Sequence, residues 1–129
     1  TTLLGQALAN VASTLAHDKK CDGLRILHVE ALTSYTDFLV VCSAPSDRQV
    51  QAIAQHIKDE LNRMGRAPLG LEGLKQGNWV LLDYGEVIVH VFLTSARNYY
   101  DIDGFWNGAP SLPVDELDAQ QHMAAFAAS

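Results

Sequence analysis

Residues 38–42 read Phe-Leu-Val-Val-Cys, apolar at every position. A strand without a polar face suits the centre of a sheet buried on both sides. This segment therefore predicts a layered protein built around a sheet. Residues 79–83 (WVLLD) and 87–93 (VIVHVFL) are two further runs of β-branched and large apolar side chains. Tyr84-Gly85 between them fits a tight two-residue turn, which predicts a hairpin. Residues 25–30 (RILHVE) mix β-branched and polar side chains and predict another strand, and the connector from Pro68 to Leu71 has strand character.

Helices are expected between these strands. Leu4, Leu8, Val11 and Leu15 fall on one helical face, predicting a helix over residues 2–17. Ser46 with Gln49 three residues later forms a capping box. Val50, Ile53, Ile57, Leu61 and Met64 then mark one apolar face, and Gly65 stands where a helix-ending left-handed residue is usual. A short helical segment is expected over residues 94–106. The element order is then α-β-β-α-β-β-β-α, which predicts an α/β (α+β) fold with a mixed, about five-stranded sheet and helices packed on it. Residues 1–110 read as the compact domain. Residues 111–129 read as an acidic, Ala-rich tail with a marginal helix from Asp115, which would be its N-cap.

The 129 residues point to one domain. No apolar run approaches the ~18 residues of a membrane span, and the N-terminus lacks the early basic cluster of a signal peptide. Cys21 and Cys42 show no C-x-x-C spacing, which fits two reduced thiols and a cytoplasmic location. The formal net charge of −6 disfavours wrapping RNA through phosphate contacts, which need clustered Lys and Arg. It suits a basic protein partner instead.

The residues that carry chemistry elsewhere do not assemble here. The five histidines show no paired spacing, and His28 with Glu30 makes only two candidate metal ligands. Cys42 ends an apolar strand, which favours an inert buried thiol. Ser43 and Ser46 lack a G-x-S-x-G context, and no phosphate-cradling glycine pattern is present. Asp101 and Asp103 are the strongest catalytic temptation, as a carboxylate pair for a divalent ion. At a helix start, however, they point apart and read as capping residues. No cofactor or metal is expected. The aromatics carry more information. Trp79 opens a strand beside the Lys75–Asn78 turn, and Tyr84, Tyr99, Tyr100 and Trp106 add further candidate anchors for a protein interface.

Five stretches in order over residues 21–110 resemble the Iojap, or ribosomal silencing factor, family. They are Ser34-Tyr35-Thr36-Asp37-Phe38, Asp47-Arg48-Gln49-Val50 (with Asp where Ser is usual), Pro68 to Gly73, Trp79 to Phe92, and Ala96 to Asp101 with the later Trp106. Phe105 stands where that family usually has Leu. The first helix and the tail lie largely outside the resemblance. The resemblance implies a nucleotidyltransferase-like core without catalysis. It also implies docking on the large ribosomal subunit through its protein number fourteen, on the face that meets the small subunit. Subunit joining would be blocked sterically and translation would fall in nutrient shortage; a link to ribosome biogenesis goes with the same resemblance. The expected docking residues are Trp79 as apolar anchor, with Leu71, Glu72, Tyr99 and Tyr100, and with Glu72, Asp83 and Glu86 to pair with basic side chains. Leu71 also reads as core, Asp83 as a turn stabiliser and His90 as a satisfied sheet histidine, and His90 is left out of the expected site. Two rival readings remain open. One is a metal-dependent nucleotidyltransferase-like enzyme. The other is a homodimer formed through Val87–Leu93 as an edge strand, through the first helix or through the tail.

Overall fold

A computed structural model describes residues 3–128. The elements in chain order are α1 (Gly5–Asp18), β1 (Asp22–His28), β2 (Phe38–Ala44), α2 (Asp47–Arg63), β3 (Gly70–Glu72), β4 (Trp79–Asp83), β5 (Val87–Leu93), α3 (Thr94–Tyr99), α4 (Ile102–Phe105), β6 (Ser111–Leu112) and α5 (Glu116–Ala128). The strands form one mixed sheet in the order β3-β4-β5-β2-β1-β6. Among the described residues only the β2–β5 pair is parallel; every other neighbour pair is antiparallel.

β2 lies inside the sheet and all seven of its residues are buried, as its uniformly apolar run requires. α2 begins at Ser46, whose Oγ accepts from the Gln49 backbone N–H at 3.2 Å. The reciprocal half of the box takes another form: the Ser46 hydroxyl donates to Gln49 Oε1. At the other end Gly65 adopts φ +82. The N–H groups of Gly65 and Arg66 then bond the carbonyls of Asn62 and Leu61, closing a Schellman motif. In α1 the apolar face is Leu8, Val11 and Leu15 with Leu3 before it. Leu4 is the exposed N-cap rather than a core residue. The expected helix start at residue 2 lies outside the described residues.

The hairpin turn is displaced by one residue from Tyr84-Gly85. Tyr84 N–H donates to Val87 O, and the two turn residues are Gly85 and Glu86. Moving a turn by one residue shifts strand pairing by two, so each side chain keeps its face while Trp79 comes opposite Phe92. β5 is an interior strand between β4 and β2, so it offers no edge for a second copy of the chain; the outer strands are β3 and β6.

The sheet has six strands because the segment after Pro110 joins it. Ser111 and Leu112 pair with Leu27 and Ile26. α5 follows, with Asp115 Oδ1 accepting from Asp118 N–H as the cap expected of it. Ala119 of α5 is fully buried, and Asn10 of α1 ties the segment down. Its side chain donates to Asp118 and accepts from the Asp115 backbone. Residues 111–128 thus continue the sheet and the helical layer.

Two apolar layers result. One face of the sheet, carrying Val80, Leu82, Val89, Val91, Val40 and Ile26, packs beneath α1 and α2 with α5 against α1. The other face carries Leu27, Leu39, Val41, Ile88 and Phe92, and the α3–α4 region and Ala109 cover part of it.

Candidate functional site: an aromatic groove on the open sheet face

Strand register sets what this second face presents. Trp79 lies opposite Phe92, Leu81 opposite His90, and Asp83 opposite Ile88. His90 in turn lies beside Val41 on β2. At the Trp79 end the cover stops short and leaves a groove of about 260 Å³. Val41, Trp79, His90 and Phe92 come from the sheet, and Tyr35, Tyr100 and Phe105 complete the lining with Ile102 and Trp106. Tyr35, Tyr100 and Phe105 are largely exposed, and Trp79 is 40% exposed.

Trp79 is held from several sides. Its indole N–H donates to His90 Nδ1 at 2.9 Å. Its ring lies 4.9 Å from that of Phe92 and 5.9 Å from that of Tyr100, centroid to centroid. Behind it, Gly73 sits at φ +81, where an added Cβ would collide with the Trp79 carbonyl oxygen. The Gly73 turn can therefore approach the start of β4 only because it lacks a side chain. His90 also lies nearly parallel to Phe92 at 5.8 Å. Burial among these rings pushes its pKa down to about 4. The imidazole is neutral near pH 7.

The wall made by α3 and α4 is anchored by Arg97, which is buried. Its guanidinium donates to Asp103 through Nε (3.0 Å) and Nη2 (2.9 Å), and to Gly23 O and Ser43 Oγ through Nη1. Arg25 approaches the same carboxylate at 2.9 Å. The hydrogen bond from Arg97, reinforced by Arg25, holds the Asp103 pKa down to about 2, against the opposing effect of partial burial. Asp101 adopts φ +48 and accepts from the Gly104 N–H, capping α4. Of the carboxylate pair weighed in the sequence, Asp101 is thus a cap and Asp103 an ion-pair partner.

The expected docking residues are not all brought together. Trp79 lines the groove with Tyr100, and Tyr99 meets Tyr100 edge-on at 5.0 Å while remaining 82% exposed. Glu72 is exposed and lies across from Leu81, on the groove side of the sheet. Asp83 shares that side, but its Oδ1 accepts from the Gly85 N–H at 2.8 Å and so stabilises the turn. Glu86 is half-buried and its carboxylate is taken up by Arg66 at 2.8 Å. Leu71 lies opposite Leu82 and so belongs to the helix side, half exposed at the sheet margin. Tyr84 is buried and presents no anchor. His90, which the sequence reading leaves out of the site as a satisfied sheet histidine, lines the groove, and Phe92, Tyr35 and Phe105 line it without being among the expected docking residues. The alternation along VIVHVF places His90 and Phe92 on one face, which was the available signal. Tyr35 and Phe105 reach the groove only through the tertiary fold.

Residues 4–129 match the family described as ribosomal silencing factor during starvation. The chain belongs to the ribosomal silencing factor family. It is 34% identical to the ribosomal silencing factor RsfS of Bacillus subtilis, over 85% of this chain and 93% of that protein. It is 37% identical to the RsfS of Chromobacterium violaceum, over 84% and 90%. The chloroplastic protein Iojap of Arabidopsis thaliana is 29% identical over 89% of this chain and 48% of its own length. Among solved structures, an X-ray structure of a Chromobacterium violaceum protein superposes with a TM-score of 0.77 at 35% identity, covering 89% of this chain and 97% of that one. A Bacillus halodurans crystal structure gives 0.75 at 35% identity, covering 84% and 99%. These structures share the mixed α+β fold of this silencing-factor chain. The family match extends through α5, beyond the stretches that carry the resemblance in the sequence. Among the described residues, no helix is long and apolar enough to cross a membrane.

Proposed function

We propose that this protein represses translation by docking on the large ribosomal subunit through its protein number fourteen, where its bulk obstructs the small subunit. Family membership supports the ribosomal setting, and the resemblance in the sequence supplies the partner. The observation that carries the docking surface is the aromatic groove, open on the sheet face that the short helices α3 and α4 cover only in part. Aromatic side chains that are partly exposed yet mutually braced are the kind of anchor that dominates protein interfaces, because little side-chain freedom is left to lose on binding. Glu72 on the groove side and the net charge of −6 favour a basic partner. Steric obstruction asks for affinity and volume, and for no bond-making. The cytoplasm is the compartment this reading requires.

The test is sedimentation of the purified protein with isolated large subunits, followed by subunit joining in its presence. Co-sedimentation and fewer joined ribosomes are expected. Trp79→Ala is expected to weaken binding by about 2 kcal/mol while leaving the protein folded. Normal joining with the protein bound would end the proposal, as would failure to bind the large subunit.

A further inference from the structure

The Trp79–His90 hydrogen bond has a chemical direction. An indole nitrogen can only donate, so the ring nitrogen that receives it must offer a lone pair. His90 Nδ1 receives it at 2.9 Å. In a neutral imidazole the single proton must then sit on Nε2. His90 lines the groove, and among the described residues its Nε2 has no hydrogen-bond partner. Its neighbours within the sheet are apolar: Leu81 and Val41 flank His90 on the adjacent strands, and Phe92 lies against the ring, while Tyr35 and Tyr100 line the same groove.

Resting on the docking reading above, we propose that His90 is a specificity-determining residue whose Nε2–H recognises one oxygen acceptor of the docked protein, a backbone or side-chain carbonyl, with Trp79 fixing the tautomer. The site then has an apolar cage for contact area and one oriented donor for register. An N–H that docking takes out of water among aromatic rings discriminates strongly, because an apolar group or a second donor placed against it leaves the N–H unsatisfied. A cationic side chain is disfavoured for the same reason. Burial supports the arrangement by keeping the ring neutral: its pKa of about 4 places the doubly protonated form below the physiological range. Trp79 accordingly acts twice, through its own surface and by aiming its neighbour.

Two substitutions separate the nitrogens. His90→Gln carries an amide N–H near the Nε2 position. His90→Asn carries its amide near the Nδ1 position, keeping an acceptor for Trp79 but removing the donor from the groove. With purified large subunits as the probe and thermal melts to establish folding, His90→Asn is expected to weaken binding about tenfold and His90→Gln to stay within about threefold of the parent. Nitrogen-detected NMR of the free protein at pH 7 is expected to place the ring proton on Nε2. A proton on Nδ1, or a doubly protonated ring, would overturn the inference whatever the binding result. So would a folded His90→Asn protein that binds as the parent does, and in that case the docking reading would stand. If the parent itself fails to bind large subunits, the docking reading falls and the recognition role falls with it.

Discussion

The two faces of the central sheet are built from the same kinds of residue and end in different states. Beneath α1 and α2, Val80, Leu82, Val89 and Val91 are completely enclosed. On the opposite face Phe92, Val41 and Leu39 are also buried, yet their neighbours Trp79, Tyr100 and Phe105 stand partly in solvent. The difference lies in the covering. Two long helices tile the first face. On the second, α4 and the Ala109 region close one part and leave the other as a groove. The first face is thus expected to govern stability and the second to govern affinity, and the two should respond to substitution in opposite ways.

The largest effect should come from the enclosed face. Leu82→Ala leaves a cavity in the enclosed layer beneath the helices, and should cost about 3 kcal/mol in denaturant unfolding. Binding per folded molecule should be unchanged. Trp79→Ala inverts this pattern, with about 2 kcal/mol lost in large-subunit affinity and a smaller loss in unfolding free energy. If Trp79→Ala unfolds the protein as readily as Leu82→Ala does, the division between the faces is wrong.

Next in size is the clamp that holds the groove wall. The Asp103 pKa, normally 3.8, is lowered to about 2 by Arg97 and Arg25. A depressed carboxylate stabilises the fold at pH values above its ordinary pKa and loses that contribution as pH falls toward its folded value. Stability should therefore decline between about pH 4 and pH 2 more steeply in the parent than in Asp103→Asn, with the two converging at the acid end. Parallel acid curves for the two proteins would count against the clamp. The smallest effect should be that of Glu72→Gln, an exposed charge. It should shift affinity by about 0.5 kcal/mol or less, and the shift should shrink as salt is raised.

How much of this was legible in the sequence depended on how local the determining interactions are. Ser46, Gln49 and Gly65 announce both ends of α2 because caps act within a few residues. The run at Phe38–Cys42 announces a central strand because its lack of a polar face leaves no other placement. The integration of residues 111–128 was not legible. β6 is only two residues long, α5 is rich in alanine without a clear apolar stripe, and the contacts that fix it are with Asn10 near the other end of the chain. The groove was legible in part. Trp79, Tyr99 and Tyr100 announce themselves as aromatics beside turns, whereas the value of His90 depends on which ring nitrogen meets the Trp79 indole. That is a matter of strand register and not of composition. Glu86 shows the converse: its charge invites a partner in the sequence, and Arg66 takes it up in the fold.

The parallel pairing of β2 with β5 bears on the route by which the chain reaches this structure. Phe38 meets Val87 only after α2, β3 and β4 have been laid between them. α2 and the β4–β5 hairpin draw on nearby residues and can form quickly, but closing the long crossover costs chain entropy before any contact across it is gained. That closure is where the main kinetic barrier should lie. Substitutions in β2, which touches both β1 and β5, should slow refolding, whereas those in the groove wall should chiefly hasten unfolding.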